Sequence, residues 1–129
     1  MTEEEALVDA FFEPSKKDRY KGFVRGARTR KKFLAELCHF RGLDNRFKYT
    51  IPGVQQTVEG IVALLNGYGA GDQCFVISDV KEIDGVRLSL EDAVGTVLGR
   101  TFGTFLSCEP GRLAYFENED GRWILRRTS

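Results

Sequence analysis

The chain has 129 residues, 42% of them hydrophobic and 29% charged, with 19 basic residues balanced by 19 acidic ones. That length fits one ordinary domain and can bury a core without metals or disulfides to staple it. Only three prolines and no low-complexity segment occur, which argues against a long disordered tail.

Thr2 and Glu5 form a capping box, and Glu3, Glu4 and Glu5 fill a first turn where the helix dipole favours acids. Leu7, Ala10 and Phe11 recur at helical spacing, so a first helix is expected to stop before Pro14. Ser15 and Asp18 read as a second cap pair ahead of Tyr20, Phe23 and Val24, with Gly26 interrupting. A third helix is expected from about Thr29 to Phe40, burying Phe33, Leu34, Leu37 and Cys38 and turning Arg28, Lys32, Ala35 and His39 outward. Phe47 to Ile51 is a candidate short strand. Val54, Val58, Ile61, Val62 and Leu65 mark a fourth helix ended by Gly67 or Gly69.

Cys74 to Ser78 reads as a strand. Asp84-Gly85, between Val80–Ile83 and Val86–Leu88, signals a two-residue hairpin. Ser89 caps a fifth helix built on Leu90, Ala93, Val94, Val97 and Leu98 and closed by Gly99. Phe102–Ser107, Arg112–Phe116 and Arg122–Arg127 then form a meander, with Pro110-Gly111 suited to a type II turn. Trp123 and Leu125 alternate with Arg122, Ile124 and Arg126, as in a strand with one packed face, and Arg122, Arg126 and Arg127 would guard an exposed edge. The expected fold is a single α+β domain over residues 1–129. Four to five helices pack on one face of a small, mainly antiparallel sheet that ends in a three-stranded meander.

The longest purely aliphatic stretch, Ile61 to Leu65, is far too short to cross a bilayer, and the acidic start is not that of a signal peptide. A cytoplasmic location is expected, with no membrane partner. Cys38, Cys74 and Cys108, odd in number and widely spaced, read as buried thiols rather than a disulfide framework. No Cys-x-x-Cys or His-x-x-x-His spacing suggests a metal, and no cofactor is expected. Asp79, Glu82 and Asp84 could gather a hard cation, but a solvated turn explains them better. Gly67-Tyr68-Gly69-Ala70-Gly71-Asp72 follows a helix and precedes a strand, the reverse of a nucleotide loop, so it reads as a helix cap and turn.

Charge is unevenly distributed. Residues 15–48 hold twelve Lys or Arg against three acids, a net of +9, whereas residues 49–120 carry a net of −7. The densest run, Arg25, Arg28, Arg30, Lys31 and Lys32, crowds the expected start of the third helix. There the dipole and the free N–H groups favour anions, and each misplaced cation costs about 0.3–1 kcal/mol. Either an external anion or the protein's own acidic surface should resolve that conflict. If Gly26 only bends one long helix, the conflict vanishes.

Arg25, Arg28, Arg30, Lys31 and Lys32, flanked by His39 and Arg41, are therefore the candidate anion-binding residues. The expected function is a non-enzymatic binding or regulatory domain whose basic segment contacts nucleic acid, a phosphorylated ligand or an acidic protein. The aromatic residues Tyr20, Phe23, Phe33, Phe40, Phe47 and Tyr49 interleave with the charges, as in nucleic-acid binders, although Phe23 and Phe33 also sit on core stripes. The alternative is a homodimer or protein–protein module in which opposite charge blocks pair. A small enzyme using His39, the lone histidine, is the third reading, and it lacks a visible partner group.

Overall fold

The computed structural model describes residues 1–127. Five helices, α1 (Glu3–Phe11), α2 (Lys17–Arg25), α3 (Ala27–Glu36), α4 (Val58–Gly67) and α5 (Leu90–Val97), accompany six strands. These are β1 (Lys48–Thr50), β2 (Gln73–Ser78), β3 (Arg87–Ser89), β4 (Gly103–Glu109), β5 (Leu113–Asn118) and β6 (Gly121–Arg126). They make one antiparallel sheet in the order β1-β6-β5-β4-β2-β3, so the fold is α+β with β4, β5 and β6 as the meander.

Local chemistry sets several boundaries. Thr2 Oγ1 accepts the Glu5 N–H at 3.1 Å, and Ser89 Oγ accepts that of Asp92 at 3.2 Å, each supplying a partner for an orphan helix donor. The glycine-rich stretch after α4 is a Schellman cap. Ala70 N–H donates to Leu65 O and Gly69 N–H to Asn66 O, with Gly69 at φ +97°. Gly111 takes φ +70°, as the turn after Pro110 requires.

Other expectations are corrected. Lys16, not Ser15, precedes α2, and no side chain caps it. Val54 is 91% exposed in a short 3₁₀ turn, so α4 starts four residues later, capped by Thr57. Val80–Ile83 is part of a turn. The hairpin joins β2 to β3, with Gln73 opposite Ser89, across a longer loop. β6 is not an edge, because β1 pairs alongside it through Tyr49 and Ile124.

The helices, expected on one face, occupy both. Phe12, Tyr20, Phe33 and Phe40 pack with Phe105, Phe116 and Leu125 on one side of the sheet. Ile61, Leu65, Val94 and Val97 pack with Val76, Leu106, Tyr115 and Ile124 on the other. Neighbouring residues on one strand point to opposite faces, so Phe105 and Leu106, or Ile124 and Leu125, enter different cores. Every residue of β5 is buried, the signature of a strand covered on both sides.

The first core is joined to the meander by backbone contact. A Cβ at Gly103 on β4 would lie 2.5 Å from Leu37 Cβ and 2.6 Å from the Leu37 carbonyl carbon. Asn118 Nδ2 donates to Leu37 O and Phe40 O, each at 3.2 Å. This contact holds the segment after α3, including His39 and Arg41, against the ends of β4 and β5.

Candidate functional site

Gly26 makes a true break rather than a bend. Its backbone is extended (φ −100°, ψ 134°), closing α2 and opening α3. No side chain caps α3. Thr29 Oγ1 occupies the space beside Gly26 and donates to Phe23 O at 2.8 Å, tying the new helix to the end of the old one. The clustering of cations at a helix start is therefore real, and the rest of the fold answers part of it.

Arg30 turns away from the helix end into a pair of carboxylates. Its Nε and Nη2 meet Glu4 Oε2 at 2.7 Å, and its fork meets Asp84 Oδ2 at 2.6 Å and Oδ1 at 2.9 Å. All three side chains are about four-fifths buried, exposing 21%, 17% and 16%. The carboxylates hold the guanidinium charged, while burial pushes the Glu4 carboxyl above its ordinary range despite the bond from Arg30. Asp84 also accepts the Ser78 N–H at 3.1 Å, so this cluster joins α1, α3 and the β2–β3 loop.

Arg25 contacts Glu5 Oε2 through Nη2 at 2.7 Å and Nε at 3.0 Å, which lowers the Glu5 carboxyl below its usual range. Arg41 Nε meets Asp120 Oδ2 at 3.2 Å, and His39 Nδ1 lies 3.5 Å from Glu119 Oε2. The His39 side chain is 74% exposed, and Glu119 is its one ionic partner among the described residues. Asp79, one of the turn acids, accepts the Gly103 N–H at 3.2 Å. No group of three or more His, Cys, Asp or Glu side chains comes together to hold a metal ion among the described residues.

Four of the seven candidate residues thus face carboxylates of the same chain. Arg28, Lys31 and Lys32 do not: among the described residues no carboxylate oxygen lies within 4 Å of them. All three are exposed. At positions i, i+3 and i+4 they share one side of α3. No protein-family model, curated protein sequence or solved structure matches this chain. Its functional reading rests on these side chains.

The aromatic residues among the charges mostly serve packing. Tyr20, Phe33 and Phe40 are buried, and Phe23 and Phe47 lean on the same core. Tyr49, on β1, is 44% exposed. The α3 face therefore offers charge with little stacking surface. Arg19 on α2, outside the dense basic run, extends that face: its guanidinium rests 5.1 Å from the Tyr20 ring centre and 5.8 Å from that of Phe23. Phe23 in turn lines a small hollow with Lys32. The i, i+4 spacing of Arg19 and Phe23 on α2 was the available signal.

No helix among the described residues is long and apolar enough to cross a membrane.

Proposed function

We propose that the protein is a binding domain for a polyanion, nucleic acid in the first instance, held by the α3 face of Arg28, Lys31 and Lys32 with Arg19 beside it. One observation carries this reading: the fold sets its own carboxylates against Arg25, Arg30 and Arg41 and leaves Arg28, Lys31 and Lys32 exposed on one side of α3. The uncapped start of α3 adds free N–H groups of the kind that suit a phosphate. With little aromatic surface on that face, the contacts are to phosphates rather than bases, which gives weak and sequence-independent binding.

The domain is read as non-enzymatic and cytoplasmic. Pairing of opposite charge blocks between subunits is the less favoured alternative, because Arg25, Arg30 and Arg41 meet their acidic partners within one chain.

Fluorescence anisotropy with a labelled single-stranded oligonucleotide tests the reading. Three phosphate contacts predict that log affinity falls with log salt at a slope of about −2 to −3. Lys31→Glu with Lys32→Glu should abolish binding with no change in melting temperature, since both side chains point into solvent. Unchanged affinity in that double variant refutes the proposal.

A further inference from the structure

The chain has twelve arginines, and among the described residues six lie within 4 Å of a carboxylate: Arg25, Arg30, Arg41, Arg46, Arg87 and Arg122. Three of the other six, Arg112, Arg126 and Arg127, come together at one end of the sheet. They line an open cleft of about 430 Å³ between the cap of α4 and the β4–β5 turn, together with Tyr68, Glu109 and Leu113. That volume falls within the range of about 300–1,000 Å³ usual for small-molecule sites.

Topology makes the cluster. Leu113 pairs with Arg126 in the β5–β6 ladder, and Arg127 N–H donates to Arg112 O at 2.9 Å. Sequence distance between Arg112 and Arg126 concealed this; the adjacency follows only once β5 and β6 are in register. Aromatic rings fix two of the guanidiniums. The Arg126 guanidinium carbon lies 4.1 Å from the Tyr68 ring centre, and Tyr68 is set in place by the Schellman cap. The Arg127 guanidinium carbon lies 4.1 Å from the Phe47 ring centre, and its Nη1 donates to Ala10 O at 3.0 Å. Stacking orients a guanidinium without using its in-plane N–H donors, so Arg126 keeps its fork for a ligand.

Glu109 shares the cleft, yet among the described residues no cation lies within 4 Å of its carboxylate. The lining thus has a cationic part and a separate acceptor, with a net charge of +2 from three arginines and one glutamate. Arginine forks match phosphate geometry, and a free carboxylate accepts from hydroxyl or amino groups.

We propose that this cleft binds a small phosphate monoester, with Arg112 and Arg126 holding the phosphate, Arg127 at its border, and Glu109 accepting a hydroxyl or amino hydrogen of the ligand. It uses none of the α3 cations and stands apart from the polyanion reading.

Isothermal titration of the full chain with ribose 5-phosphate, glycerol 3-phosphate and O-phosphoserine tests it, against ribose, glycerol, serine and inorganic phosphate. At least one ester should bind with a Kd below about 1 mM, and more tightly than both its unphosphorylated parent and inorganic phosphate. Arg112→Gln with Arg126→Gln should weaken that ester by about tenfold or more. Glu109→Gln should weaken the ester and leave inorganic phosphate unchanged. Lys31→Glu with Lys32→Glu should change neither. Arg112→Gln alone, on an exposed turn residue, keeps the test open should the double variant fail to fold. The proposal is overturned if no ester saturates, or if affinity is unchanged in the folded arginine variants. It is also overturned if the arginine variants lose an oligonucleotide that the α3 variant still binds.

Discussion

Arg30→Met deletes the charge that joins α1, α3 and the β2–β3 loop while keeping a long apolar stem. It removes the contact with Glu4 at 2.7 Å and the two-pronged contact with Asp84 at 2.6 and 2.9 Å. It also leaves two mostly buried carboxylates around a missing cation. Removing one partner of a buried ion pair typically costs about 3–5 kcal/mol. Exposure of about a fifth lets water solvate part of what is left, so the lower end applies, about 3 kcal/mol. In a domain of this size that is a fall of about 10 °C in Tm. Urea unfolding followed by circular dichroism at pH 7 should show an earlier midpoint with an unchanged slope.

The pH dependence follows from Glu4. Burial already holds its carboxyl above the ordinary range, and the Arg30 bond opposes that rise. Without Arg30 the carboxyl goes higher still. A group whose folded pKa exceeds its unfolded one favours folding below the unfolded pKa and loses that contribution as pH climbs through the folded value. The variant's deficit should therefore be greatest near neutrality and shrink toward about pH 4. A deficit under about 1 kcal/mol, or one that grows on acidification, would refute the account.

Three further outcomes are expected. Gly103→Ala should destabilise by about 1–3 kcal/mol or more, because the new methyl meets Leu37 backbone that cannot swing aside, and a thermal melt indistinguishable from wild type would contradict the packing. Tyr115→Phe should cost about 1–2 kcal/mol, since the buried Tyr115 hydroxyl donates to Glu117 Oε1 at 2.7 Å. Burial pushes that phenol well above its usual range, so an alkaline ultraviolet titration should show no Tyr115 ionisation until the fold opens. Cys74 and Cys108 are buried with their sulfurs 3.2 Å apart, whereas Cys38 is half-buried. Ellman's reagent should therefore label one thiol quickly in native protein and all three in denaturant; fast labelling of three would count against the β2–β4 pairing.

What the sequence disclosed was mostly what neighbouring residues decide among themselves. Thr2, Ser89, the Gly69 cap and the Pro110-Gly111 turn obey rules that span a few positions, and each appears where expected. The alternation of Trp123 and Leu125 with Arg122 and Arg126 points to a sheet with one packed face, whereas the continuous apolar run Leu113 to Phe116 belongs to a strand covered on both sides. The candidate site divides the same way. That residues 15–48 carry excess positive charge is plain from the chain. Which cations stay unpaired depends on partners such as Asp84, 54 positions from Arg30, and only the fold supplies them.

The strand order carries a consequence for synthesis. The strand that pairs with β1 is β6, made more than seventy residues later, and the sheet residues that cover the aromatic core of α1 to α3 all come from Phe75 onward. As the chain leaves the ribosome, its first forty residues carry Phe12, Phe33 and Phe40 with nothing from the sheet to shelter them. The domain must wait for its last strand before its first one has a neighbour, and during that interval the nascent N-terminal third is the part most exposed to misassociation and most suited to a chaperone's hold.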